Sequence, residues 1–163
     1  MTRTLLVIAC VAAIALCLAG MWLGWRNRGK RQAELAALPA LPEHLSPARL
    51  APLVGLYIGT TYARSWQDRV VARGLGLRAS ATVTLHDEGL LIEREGAEPI
   101  FLPLRDVISA RLEPALAGKV VGEGGLMVIN WRLGDTELDT GLRADDKTEY
   151  PQWVRAINER AMV

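Results

Sequence analysis

The sequence has few of the residues on which redox, metal and nucleophilic chemistry depend. Of its 163 residues, two are cysteines and two are histidines. Cys10 and Cys17 both lie inside one apolar run, so we expect neither a disulfide framework nor a thiolate metal site. His44 and His86 have no partner at ligand or base spacing, and the carboxylates fall in turns and predicted helix caps. We therefore expect no metal, no cofactor and no catalytic residues.

The C-terminal two thirds also lack an excess of positive charge. Residues 52–163 hold thirteen Lys or Arg against sixteen Asp or Glu, whereas residues 1–51 hold six Lys or Arg against two Glu. A nucleic-acid-binding domain needs a broad basic surface to neutralise phosphates. We therefore expect no nucleic-acid partner.

What the sequence does contain is one long apolar run. Leu5 to Trp25 are twenty-one residues without a charged side chain. As a helix they would reach about 31 Å, which matches a bilayer hydrocarbon core of about 30 Å. Trp22 and Trp25 lie in the last turn, where indole rings are typical of the membrane interface. The run predicts a single transmembrane anchor, which we assign to residues 1–25.

A basic cluster follows the run directly and predicts its orientation. Arg26, Arg28, Lys30 and Arg31 outnumber Arg3 on the other side. The positive-inside bias then places the N-terminus outside and the rest of the chain in the cytoplasm, at the cell membrane. Each of the four cations is also expected to contact anionic lipid, with an attraction of about 1 kcal/mol near the surface.

A cleaved signal peptide is the alternative, and it would make this a small exported protein. The run is longer than the usual apolar region of about 7–15 residues, and no convincing Ala-x-Ala site follows it. Gly20 and Gly24 within the run form a small-residue pair of the kind that permits close helix packing. They are a candidate face for a homodimer.

Residues 26–51 are expected to link the anchor to a domain of residues 52–163. Pro39, Pro42, Pro47 and Pro52 exclude a helix and favour an extended spacer. Stretched at about 3.1 Å per residue, residues 39–52 would span roughly 40 Å.

Beyond the linker, short apolar segments are separated by glycine and charged turns, which predicts antiparallel strands. Gly96 to Pro99 suit a four-residue hairpin loop. Glu123 to Gly125 suit another tight connection, between the segment Gly118 to Gly122 and the strand that begins at Leu126. The chain then changes character: Asp145 or Asp146 is a predicted helix cap, and apolar side chains recur at helical spacing. These side chains are Tyr150, Trp153, Val154, Ile157 and Ala161. We predict a curved, partly open barrel of about seven antiparallel strands, capped by a C-terminal α-helix.

Several stretches resemble bacterial PH-like domains carried by small single-pass membrane proteins. They are Gly55–Thr61, Ser65–Val70, Leu116–Gly122, Trp131–Thr136 and Asp139–Asp146. The resemblance implies a β-sandwich or barrel with a C-terminal helix and no catalytic residues. It implies no particular partner, because the molecular role of that family is undefined.

The candidate binding residues lie early in the domain. Arg64, Trp66, Arg69, Arg73 and Arg78 could contact a partner's carboxylates or a phosphate, or form a solvated loop that pairs with the domain's surplus acids. The sequence therefore predicts a membrane-anchored cytoplasmic module that binds or scaffolds a protein partner and is not an enzyme. Binding of anionic lipid headgroups through the loop from Arg64 to Arg78 is the alternative.

Overall fold

An apolar helix and a β domain form separate units of the chain. The structure, a computed structural model, describes residues 2–122 and 124–161, with the side chains of residues 2, 25–31 and 33 outside the description. The first unit comprises residues 1–34 and the second residues 35–163.

Helix α1 forms nearly the whole of the first unit. It runs from Thr2–Ala33, and its segment Arg3–Gly24 has a mean hydropathy of 2.6 and is long enough to cross a membrane. The predicted apolar helix is confirmed, while length and composition alone would also fit a signal sequence. The helix ends before Pro39 because Leu35 turns into the core of the second unit, where it is 4% exposed.

The second unit is an antiparallel β domain. Seven strands of its described part follow one hydrogen-bonded path in the order β5-β4-β3-β1-β10-β9-β6, while β2 pairs with β1, and β7 with β8. The strands are β1 Leu53–Tyr62, β2 Arg69–Val70, β3 Ala79–Leu85, β4 Gly89–Arg94, β5 Ala97–Pro103, β6 Val107–Glu113, β7 Ala115–Leu116, β8 Lys119–Val120, β9 Leu126–Leu133 and β10 Thr136–Ala144. About seven antiparallel strands were predicted, and this is confirmed.

Burial along the strands shows that part of the sheet is covered on one face and part of it on both faces. In β3 only alternate residues are buried, namely Ala81, Val83 and Leu85, as expected for a strand with one face in the core. In β9 all residues except Arg132 are buried. The inner face of β9 contributes to the main core, and its outer face contributes Leu126 and Val128 to a second, smaller core.

Two predicted connections differ in the structure. The predicted loop Gly96 to Pro99 is a two-residue turn, because Arg94 pairs with Ala97 and Gly96 takes the left-handed φ of +73°. Pro99 instead lies inside β5, which is an edge strand and therefore tolerates a residue without an N–H.

The segment after Gly118 was predicted to pair with the strand that begins at Leu126. It pairs with Ala115–Leu116 instead, so that β7 and β8 form their own hairpin. The two turn residues, Ala117 and Gly118, have φ of +51° and +74°, the left-handed pair that two-residue hairpin turns require. Local turn geometry therefore decides which strand β8 joins.

Helix α2, Tyr150–Ala161, covers the main core beside β6. Asp146 accepts a hydrogen bond from the Thr148 N–H at 2.9 Å and so caps the short turn that leads into α2. Trp153 and Ile157 are fully buried, and such burial contributes about 1.5–3 kcal/mol per large apolar side chain. The predicted C-terminal helix and its apolar stripe are confirmed.

Helix α2 also satisfies the free edge of β6. The Asn158 side chain accepts a hydrogen bond from the Ala110 N–H at 2.7 Å and donates one to the Ala110 carbonyl at 3.0 Å. An unpaired strand edge is a site for unwanted pairing with another chain. One side-chain amide here takes the place of a neighbouring strand.

Residues 35–52, which we call the strap, are not a free spacer. Leu35 is buried in the main core, and Leu38 and Leu50 pack against it. The Arg49 N–H donates to the Leu85 carbonyl at 2.8 Å. Burial of these three apolar side chains therefore offsets the conformational entropy that a free linker would keep. The prolines hold the strap in an extended conformation along the domain.

The turn between β3 and β4 holds the middle of the strap. Ser46 donates through its N–H and its hydroxyl to Glu88, both at 3.0 Å, and Arg49 pairs with Asp87. Hydrogen bonds from Arg49 and Arg160 lower the pKa of Asp87, and the backbone N–H of Ser46 lowers that of Glu88. Both carboxylates therefore favour the docked strap in their charged form.

The strap should loosen in acid. Because docking lowers both carboxyl pKa values, its contribution is fully present above the ordinary carboxyl range near pH 4 and is lost as the pH falls through and below it. Hydrogen exchange of the Ser46 and Arg49 amides, corrected for intrinsic rates, should show protection that drops a few-fold between pH 7 and pH 3, the scale of exposed ion pairs.

The variant Asp87→Asn should show the weaker protection already at pH 7. Glu95→Gln is the matched control, since Glu95 is also an exposed carboxylate but lies away from the strap. Equal protection at both pH values in the unmodified chain would contradict this role of the turn.

Candidate functional site

The five predicted binding residues occupy one long connection between β1 and β3, but they do not form one patch. Arg64 and Trp66 lie in the loop before β2, Arg69 lies in β2, Arg73 in a short 3-10 turn, and Arg78 just before β3. Arg69 and Arg73 donate hydrogen bonds to the backbone of the domain, whereas such bonds are not what holds the exposed Arg64, Trp66 and Arg78.

Arg69 and Arg73 bind the backbone of the domain itself. Arg69 donates to the Ile58 carbonyl, and a side chain at Gly59 would lie 2.8 Å from the Arg69 guanidinium, so this glycine leaves room for it. Arg73 donates to the Leu35 carbonyl at 3.1 Å. These two arginines connect the long loop to β1 and to the strap.

Hydrogen bonds from Tyr57 and Arg94 also hold the long connection between β1 and β3 from its buried side. The Tyr57 hydroxyl donates to the Leu75 carbonyl at 2.7 Å and lies 2.8 Å from the Thr60 hydroxyl. Burial raises the pKa of Tyr57 to about 12, so this group stays a hydrogen-bond donor at neutral pH. Arg94 lies 5.0 Å from the centre of the Tyr57 ring and donates to the Gly74 carbonyl at 2.6 Å.

Arg64 and Trp66, in contrast, are directed to the surface. Trp66 is 43% exposed, and its carbonyl accepts a hydrogen bond from the Gly118 N–H at 3.3 Å, which connects this loop to the β7–β8 hairpin. Arg64 has φ of +66°, a conformation that costs a non-glycine residue about 1–2 kcal/mol. Among the described residues we find no ion-pair or hydrogen-bond partner for its side chain.

A pocket of about 310 Å³ lies where this loop meets the start of the hairpin. We call it the Arg64–Trp66 pocket. It is lined by Arg64, Ser65, Trp66, Arg111, Glu113, Pro114, Ala115, Leu116 and Asp139. Its lining thus combines an aromatic ring and apolar side chains with two arginines and two carboxylates.

The charged wall of the pocket is already paired. Arg111 donates to both oxygens of Asp139, at 3.1 and 2.7 Å, and to Glu113 at 2.8 Å. Asn130 donates to Asp139 at 2.9 Å, and the Asp139 side chain is only 4% exposed. The hydrogen bonds from Arg111 to Asp139 and Glu113 raise the pKa of Arg111 and hold its position. Of the two arginines of the pocket, Arg64 is therefore the one whose N–H groups have no partner among the described residues and can bind a ligand.

The second core adjoins the pocket through Leu116, which belongs to both. It contains Ile58, Leu116, Leu126 and Val128, and Leu116 packs on Gly141 of β10. A side chain at Gly141 would lie 2.5 Å from the Leu116 Cδ2 atom. The hairpin can approach the sheet only because this position has no side chain.

The decisive observation about the family is a match over most of the chain. The sequence model described as bacterial PH domain-like matches residues 35–158. The chain belongs to the bacterial PH domain-like family. No curated protein matches the chain at a significant level.

The match and the compact unit of the PH-like domain both begin at Leu35. The strap is therefore included in each. The seven-strand path and α2 form the frame of the PH-like domain. The pocket is lined by Arg111, Glu113 and Asp139 from β6 and β10 of this path, together with two segments that lie off it. These are the loop around Trp66 and the β7–β8 hairpin.

The remaining predicted contacts lie elsewhere. The side chains of Arg26, Arg28, Lys30 and Arg31 are outside the described residues, so their lipid contacts stay a prediction. Gly20 and Gly24 lie in α1, and homodimerisation through them also stays a prediction, which crosslinking of the chain in membranes can test. The described part of the chain contains no group of three or more His, Cys, Asp or Glu that could hold a metal ion.

Sequence reasoning missed the second half of the pocket. Arg111 and Asp139 are 28 positions apart, and nothing in either local pattern indicates that they meet. The one available signal was the alternation of β6, which places Arg111 and Glu113 on the same face. That signal predicts that Arg111 and Glu113 lie beside each other, but it does not predict that Arg111 contacts Asp139.

Proposed function

We propose that this chain is a membrane-tethered, non-catalytic adaptor whose PH-like domain binds a protein partner at the Arg64–Trp66 pocket. The observation that carries the proposal is the half-exposed Trp66 beside Arg64, which has no partner among the described residues, in a pocket that shares Leu116 with the second core. PH-like domains are generally binding modules without catalytic activity. The apolar helix α1 supplies the anchor.

Trp66 and Arg64 are suited to a protein interface. Trp and Arg are enriched among the residues that dominate binding energy, particularly where a pocket excludes water around them. The hairpin adjoining the pocket presents a further apolar side chain, Val120, which is 65% exposed. An exposed Trp and Val on supported loops favour a protein partner.

A lipid headgroup has less support as the ligand. Arg69 and Arg73, two of the four arginines on which lipid binding would depend, donate to carbonyl oxygens of the domain. Arg64 and Arg78 remain exposed, but Arg64 faces a pocket that also contains Glu113 and Asp139. Multiply charged phosphates prefer clusters of free cations.

We further propose that the N-terminus lies outside and that the PH-like domain is cytoplasmic, since the basic cluster that follows Leu5–Trp25 favours retention on that side. A reporter active only in the cytoplasm, fused after Val163, should be active in cells, and one active only after export should be silent. Activity of the export reporter instead would support the cleaved, secreted alternative.

The adaptor function can be tested by site-specific photo-crosslinking of the full-length chain in native cells. A photoreactive residue at Val120 should form adducts with a protein, and these should be lost with Trp66→Ala or Arg64→Ala. The matched control position is Val54, which is 54% exposed and is not part of the pocket lining.

Adducts at Val120 that persist in both pocket variants would contradict the proposal. So would crosslinking at Val120 to lipid alone.

A further inference from the structure

The proposed adaptor function leaves open which chemical group of the partner enters the pocket, and the inference below rests on that function. The lining separates into one apolar part and one charged part. Each part restricts the ligand independently.

The charged part selects a single negative charge. Arg111 is occupied by Asp139 on one side and by Glu113 on the other, so its positive charge is compensated within the wall. Of the two arginines that line the pocket, Arg64 is the one without a partner among the described residues. A guanidinium binds a carboxylate through two parallel N–H···O bonds, which matches one acidic side chain.

The same wall disfavours the other charged ligands. A phosphate group carries close to two negative charges at neutral pH and would face the carboxylates of Glu113 and Asp139. A cationic ligand would face Arg64 and Arg111 while finding both carboxylates already bound. A carboxylate gains the contact with Arg64 and, with one negative charge instead of two, is repelled less than a phosphate by Glu113 and Asp139.

The apolar part selects a large uncharged side chain. The ring of Trp66 is half-exposed, and Pro114, Ala115 and Leu116 continue the apolar lining. With a volume of about 310 Å³ the pocket is at the small end of the range for ligand sites. It therefore suits a pair of side chains better than a bulky headgroup.

We infer that the Arg64–Trp66 pocket binds a peptide segment of the partner in which an Asp or Glu stands beside a large aliphatic or aromatic residue. The carboxylate pairs with Arg64, and the apolar side chain packs on Trp66.

A peptide-display selection tests the inference. The bait is the full-length chain in nanodiscs of neutral phosphatidylcholine, and the probe is a library of random short peptides. The unmodified chain should enrich peptides with an acidic residue next to a large apolar one. The variant Arg64→Glu should enrich Lys or Arg at the acidic position and should bind the originally selected peptides at least ten-fold more weakly.

An inverted charge preference cannot result from misfolding, which keeps the test decisive. Trp66→Ala should weaken binding of the selected peptides about ten-fold without changing their charge. Arg78→Glu is the matched control, because Arg78 is an exposed arginine of the same connection that does not line the pocket, and it should select the original peptides.

Three results would overturn the inference: no enriched sequence, the same sequences with Arg64→Glu, or Arg64-dependent binding of anionic vesicles without peptide selection. Failure here, with Val120 adducts that form in cells and are lost with Trp66→Ala or Arg64→Ala, would show that the ligand class is wrong while the adaptor function stands. Failure of both would refute the adaptor function as well.

Discussion

Leu116 packs against the bare backbone of Gly141, and the outer half of the domain depends on this contact. Any side chain at position 141 would collide with Leu116, whose Cδ2 atom lies 2.5 Å from where a Cβ would stand. The contact lets the β7–β8 hairpin cover the outer face of the sheet and bury Ile58 and Val128. A sheet that would otherwise expose this face to water gains a second core.

The second core determines where a ligand can bind. The hairpin on top of it meets the loop of Trp66, and the pocket lies between them. The main core, closed by α2, fixes the sheet. The frame of the PH-like domain therefore provides rigidity and the paired wall of Arg111, Glu113 and Asp139, and the two segments off the seven-strand path provide Arg64 and Trp66. This division is common, since binding residues tend to lie on loops that a rigid scaffold positions.

The sequence predicted those parts of the fold in which local pattern and burial agree. The alternation from Ser80 to Leu85 and the helical stripe of Tyr150, Trp153 and Ile157 each repeat with the period of the structure they form. The strap could not be predicted in this way, because Leu35, Leu38 and Leu50 follow no period and their prolines are typical of linkers. Only a surface contributed by distant residues shows where they pack.

The candidate site was predicted in part for the same reason. Arg64 and Trp66 were predicted as candidates together with the other arginines of the loop. The separation of Arg69 and Arg73 from them depends on carbonyl groups of Ile58 and Leu35. The Arg111–Asp139 pair and the Leu116–Gly141 contact join residues far apart in the chain. Such long-range contacts arise from the sheet order, which no single segment encodes.

The most direct test of this account is the environment of Trp66 when Leu116 is displaced. In the full-length chain labelled with fluorotryptophan, Gly141→Ala should move the fluorine resonance of Trp66 toward its position in denaturant, because the hairpin that contacts its loop is pushed from the sheet. The resonances of Trp131 and Trp153, buried in the main core, should stay in place. An unchanged Trp66 resonance, or a common shift of all three, would contradict the claim that this contact builds the pocket.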